Sequence, residues 1–193
     1  MHLRHFSSFD AHPPGWGAGR PTKAWVAAAL ACAALVGACS PTYDWREARS
    51  ESGNLRAMLP CKPERASRPV ALDGREVSLN AMACEAGGAT FAVFEAQLME
   101  PGSAGKVLSQ WNAVTLARLR STGSSVAPFR PAGAFDIPQS VQVRAVGRRP
   151  DGSAVQSHAA YFGRGTHVFQ AVIYAQAIRP EMAEPFFSGL KVE

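Results

Sequence analysis

Hydrophobic and polar positions along this chain follow two different periods, and the change of period divides the domain. Over residues 90–98, Ala92, Phe94, Ala96 and Leu98 fall on one side, and Phe91, Val93, Glu95 and Gln97 fall on the other. A period of two is that of a strand, whose successive side chains point to opposite faces. Shorter strand-like runs occupy residues 55–59 and 70–72, and a longer one covers 76–85. Asp73-Gly74 and Gly87-Gly88 separate these runs as hairpin turns.

Beyond Pro101-Gly102 the spacing becomes helical, with Val107, Leu108, Trp111, Val114, Thr115 and Leu119 on one stripe. Ser103 is the expected N-cap, and Arg118 and Arg120 stand at the far end, where cations favour the helix dipole. Residues 121–138, rich in Ser, Gly and Pro, read as a long loop. Three further strands follow at 141–146, 154–162 and 166–178. Arg149-Pro150-Asp151-Gly152 joins the first two, and Gly163-Arg164-Gly165 joins the last two. Pro180 opens a terminal helix that Pro185 should interrupt, leaving two short turns that lay Phe186, Phe187 and Leu190 on the sheet. The order predicts an α+β domain over residues 54–193: an antiparallel sheet of six to seven strands, one long helix between strand groups, and a short C-terminal helix.

The first 38 residues have a different character. An uncharged run of 13 residues, 24–36, follows Arg20 and Lys23. It is shorter than the roughly 20 residues that a spanning helix needs, and it has the charge pattern of an export signal. Val36-Gly37-Ala38-Cys39 follows it and resembles the lipobox of bacterial lipoproteins. That resemblance implies cleavage before Cys39, acylation of its thiol, and a membrane anchor carrying palmitate or a similar chain. Ser40, in place of an aspartate, implies the outer membrane, with the domain facing the periplasm. Residues 39–53 read as a lipidated, irregular tether in which Tyr43 and Trp45 serve as docking residues or interfacial anchors.

Composition narrows the function without naming it. The net charge is +5, of which +2 lies before Cys39, and the arginines are scattered from Arg46 to Arg179. A nucleic-acid reader clusters its cations among aromatics, so no nucleic-acid partner is expected. Of the four cysteines, Cys32 lies in the export signal and Cys39 takes the lipid, leaving Cys61 and Cys84 as a disulfide in an oxidising compartment. Zinc would need two more ligands besides this pair, and after Cys39 the chain offers only His158 and His167. Two hairpin registers are open to those histidines. A Gly163-Arg164-Gly165 loop puts them on opposite faces. An Arg164-Gly165 loop puts them on one face, about 13 Å apart along the strand. Neither lets them share an ion.

No catalytic template is filled. Pro101-Gly102-Ser103-Ala104-Gly105 has proline where a nucleophile elbow needs glycine, and there is no phosphate-cradling or dinucleotide motif. Glu95 and Glu100 do not form a pair of fixed spacing, and Trp111 reads as core. No cofactor and no enzymatic activity are expected.

The strand order resembles the Mog1/PsbP-like fold. Leu59-Pro60-Cys61-Lys62-Pro63 is similar to its leading strand and turn. "HVFQAVIYA" with "EPFFSGLKV", residues 184–192, is similar to its closing strand and helix. Uncharacterised lipoproteins of β-proteobacteria are similar as well. The resemblance implies an architecture and no activity, because the fold hosts unrelated roles. Two functions stay open. One is an accessory or interaction protein that binds an envelope partner through a sheet face or the 121–138 loop. The other is a small-ligand or lipid-binding module with that loop as a lid.

Overall fold

The computed structural model describes residues 41–193. The expected export signal, Cys39 and Ser40 lie outside the described residues. The chain is an α+β domain of three layers, built on a seven-stranded antiparallel sheet of order β3-β4-β5-β9-β8-β7-β6. Its strands are β3 (Glu64–Leu72), β4 (Arg75–Ala86), β5 (Ala89–Gln97), β6 (Gly123–Pro128), β7 (Val141–Arg148), β8 (Ala154–Arg164) and β9 (His167–Ala175). A smaller sheet of order β1-β2-β10 joins β1 (Arg46–Arg49), β2 (Leu55–Leu59) and β10 (Lys191–Val192). Helix α1 (Ala104–Arg118) follows a short 3-10 turn, and α2 (Pro180–Ser188) precedes β10. Among the described residues no helix is long and apolar enough to cross a membrane.

The large sheet is covered on both faces, which explains why β8 and β9 are buried almost throughout. On one face Ala92, Ala96, Val143, Ala159, Tyr161, Val168 and Val172 pack with Val107 and Leu108 of α1. On the other, Phe91, Val93, Phe162, Phe169 and Ile173 meet Leu55, Ala57 and Leu59 of β2 and Met182, Phe186 and Phe187 of α2. The alternation read along residues 90–98 is the one observed: Phe91 belongs to the second core, while Ala92 and Ala96 belong to the first.

Both two-residue turns form as the sequence requires. Asp73 and Gly74 have φ of 51° and 73°, and Gly87 and Gly88 have 58° and 74°. Gly87 has a second reason to lack a side chain, because a Cβ there would stand 2.3 Å from the Tyr43 hydroxyl.

Several expectations are corrected. The segment read as an irregular tether contains β1, paired residue by residue with β2. Tyr43 and Trp45 pack against Phe91, with ring centroids 6.5 and 5.9 Å away, so they belong to the fold. The 121–138 loop contains β6, an edge strand exposed along its whole length. Its second half is packed down, with Phe129 against Phe162 and Phe187, and so forms no lid. Ser103 stands at the N-cap but turns its hydroxyl back to the Glu100 carbonyl, 2.8 Å away, because the preceding 3-10 turn has already given it helical angles. Val114, placed on the apolar stripe, is 48% exposed. Pro185 does not break α2. The hydrogen bond it removes would end on Glu181 in the first turn, and burial of Met182, Phe186 and Phe187 outweighs that loss.

Cys61 and Cys84 form the expected disulfide, with Cα atoms 6.0 Å apart. The β3–β4 register, which ends at Glu64↔Ala83, carries Cys61 beside Cys84. Cys61 follows β2 of the small sheet, so the bond also joins the two sheets covalently.

Candidate ligand-binding groove

α1 packs over β8 and β9. It leaves the same face of β3 and β4 only partly covered. Side chains paired across those strands point the same way, so Arg68 and Val70 of β3, Val77 and Leu79 of β4, and Phe94 of β5 share that face. Trp111 of α1 leans edge-on against Phe94 at 6.4 Å. Between helix and sheet runs a groove of about 870 Å³, with Val70, Leu72, Leu79, Phe94, Trp111 and Tyr174 as its apolar walls. This volume lies within the range of ligand-binding cavities.

Charge at the groove has one sign. Arg68, Arg118, Arg148 and Arg149 all line it, and no aspartate or glutamate does. Among the described residues none of the four forms an ion pair. Several guanidinium groups beside low-dielectric walls favour an anion. Each arginine comes from a separate place: β3, the last turn of α1, the end of β7, and the β7–β8 turn.

Gln170 and Thr115, both buried, also line the groove. The Gln170 amide donates to the Thr115 hydroxyl at 3.1 Å and to the Tyr161 hydroxyl at 2.9 Å. Burial pushes the Tyr161 phenol up to about 12, and burial likewise raises Tyr174, against which Arg118 pulls. Both phenols therefore stay neutral near pH 7, so arginine supplies the groove's formal charge.

The two histidines occupy one face of the large sheet, opposite the groove. The hairpin loop is Gly165-Thr166, with Arg164 opposite His167 and Phe162 opposite Phe169. Neither expected register is the observed one. His158 pairs with Ile173, six residues along from His167, a separation of about 20 Å. The two rings cannot share an ion. Among the described residues no group of three or more His, Cys, Asp or Glu side chains is placed to hold a metal.

His167 instead joins a cluster that sequence reasoning did not assemble. Its Nδ1 lies 3.0 Å from Glu95 Oε1, and its Nε2 lies 3.0 Å from the Asn54 amide nitrogen. Glu95 is buried and also accepts from the Ser52 hydroxyl. A serine, a histidine and a carboxylate thus meet, but in an order that does not activate the serine. Ser52 is bonded to Glu95, and both ring nitrogens of His167 are engaged elsewhere.

No protein-family model and no curated protein matches the chain. Among solved structures, a protein of Bacteroides thetaiotaomicron VPI-5482 superposes with a TM-score of 0.43 at 12% identity, over 77% of this chain. The chain spans 48% of that protein's length.

Proposed function

We propose that this protein is a non-catalytic lipoprotein of the cell envelope, anchored through Cys39 to the periplasmic face of the outer membrane, that binds an anionic amphiphile in the α1 groove. The observation that carries the reading is the pairing of an apolar cavity of about 870 Å³ with four arginines and no acidic residue. A long-chain carboxylate or phosphate ester fits that chemistry. Its chain contributes roughly 0.8 kcal/mol per buried methylene, and its head group pairs with guanidinium. The resemblance of residues 20–39 to an export signal and lipobox supports an envelope location, where anionic amphiphiles occur. The Ser–Glu–His cluster supports the non-catalytic part, because its bonds hold a turn and leave no free base. The likeness to Mog1/PsbP proteins enters only as a proposed architecture.

Native mass spectrometry of the full chain, purified in mild detergent, tests the reading. A non-covalent adduct of amphiphile mass is expected, weakened when Arg118 and Arg148 are changed to glutamine. Repeated absence of any adduct contradicts it.

A second reading, an accessory protein that pairs with an envelope partner, is favoured by β6. This edge strand has no charged residue over 123–128, and its Val126 is 59% exposed. The other edge, β3, carries Arg65, Arg68 and Pro69, which discourage strand addition. An extended segment of a partner would add to β6 through main-chain hydrogen bonds. Affinity purification that captures one partner, lost on Val126→Pro, distinguishes this reading.

A further inference from the structure

On the face of the large sheet opposite the groove, three neighbouring strands align Ser125, Arg144 and His158 in one row. The first turns of α2 lie across from that row, and a cleft of about 530 Å³ separates the two. Its floor is fixed, because the Gln156 side chain accepts from the Ile178 backbone N–H at 2.9 Å and ties the approach to α2 onto β8. Val146, Ile178 and Ala183 supply apolar wall.

The cleft holds charges of both signs. Arg144 and Glu184 both line it, both are exposed, and neither forms an ion pair among the described residues. The remaining cation, Arg179, is engaged by Glu181 at 2.6 Å and by the Tyr43 hydroxyl at 3.3 Å. His158 is 4% exposed, and its ring lies 4.2 Å from that of Phe187. Its Nε2 is buried without a hydrogen-bond partner among the described residues. The ring also lines the cleft, so a ligand held by Arg144 would meet it there.

We propose that this cleft binds a small zwitterion of the α-amino-acid class, with the carboxylate on Arg144 beside His158, the ammonium toward Glu184, and an apolar side chain against Ile178, Ala183 and Val146. A plain anion would meet Glu184, and a plain cation would meet Arg144; a ligand carrying both charges satisfies both walls. Burial, with Arg144 adding to it, lowers His158 to about 4, so the imidazole adds a hydrogen bond and no charge near pH 7. The site is independent of the arginine groove, which lies on the other face and contains no acid.

Calorimetry on the full chain in detergent tests the proposal with alanine, valine, leucine and phenylalanine, each compared with its N-acetyl and its amide derivative. At least one free amino acid should give saturable binding at millimolar concentration or below, with both blocked derivatives at least tenfold weaker. Arg144→Gln should weaken the free amino acid by at least tenfold. Glu184→Gln should bring the N-acetyl derivative level with it. Ring signals of His158, followed by NMR, should shift on binding in the wild-type protein. The proposal is overturned if none of the four saturates, if blocked and free forms bind alike, or if Arg144→Gln leaves binding unchanged in a folded protein.

Discussion

His167 reaches across from β9 to Glu95 of β5, Nδ1 to Oε1 at 3.0 Å, and the pair fastens the turn between β1 and β2 to the large sheet. A carboxylate only accepts, so Nδ1 carries the proton and Nε2 is left to accept from Asn54. Ser52 closes the cluster on the other side of Glu95. Glu95→Ala should therefore leave the Ser52 hydroxyl and the His167 ring without their acceptor. We expect a loss of about 2–3 kcal/mol by chemical denaturation. Glu95→Gln, which keeps an acceptor oxygen, should cost less. An equal loss for both variants would show that packing, and not the hydrogen bonds, holds the turn.

His158 gives the fold a dependence on acid. Burial and Arg144 lower it to about 4, from the 6.5 of an unperturbed histidine. Between those values the unfolded chain binds a proton that the folded chain does not, so stability rises with pH across the window. The contribution is fully present above pH 6.5 and is lost as pH falls toward 4, amounting to roughly 3 kcal/mol. His158→Leu should flatten the difference between the two pH values. The wild-type-minus-variant curve isolates the imidazole. A variant as acid-sensitive as the wild type would contradict this assignment.

The Cys61–Cys84 bond links positions separated by 23 in sequence and joins the two sheets. Replacing both cysteines with alanine should lower stability by about 2–4 kcal/mol. Ligand binding should suffer only through loss of folded protein, because neither cysteine lines the groove or the cleft. Alkylation of the denatured, unreduced protein should find no free thiol at either position.

For the anchor, palmitate labelling should be lost on Cys39→Ser. Ser40→Asp should move the protein from the outer-membrane fraction to the inner one. Label retained in the first variant would end the lipobox reading.

Legibility in the sequence followed the burial of each strand. β4, β5 and α1 were readable because burial imposes a period, and because Asp73-Gly74 and Gly87-Gly88 mark where it resets. β6 and the first half of β3 carry no such signal, since both their faces are wet. β1 and β10 are too short to show a period and depend on β2 for partners. The β8–β9 turn was misplaced because Gly163, a turn former by composition, is kept in the strand. There a Cβ would stand 2.9 Å from the His167 carbonyl. The arginine groove was invisible because Arg68, Arg118 and Arg148 are brought together only by the sheet order. The same holds for Glu95 and His167, which lie 72 residues apart.

The central claim is that the α1 groove takes an anionic amphiphile, and a titration pair tests it most directly. Calorimetry of the full chain with a long-chain alkanoate, beside the alkanol of equal length, separates the contribution of the arginines from that of the apolar walls. The account predicts saturable alkanoate binding at least tenfold tighter than alkanol binding, a margin of about 1.4 kcal/mol. It also predicts that the margin disappears when Arg118 and Arg148 are both glutamine, and that both ligands weaken on Leu79→Glu. Equal affinity for alkanoate and alkanol, or alkanoate binding unchanged by Leu79→Glu in a folded protein, would contradict it.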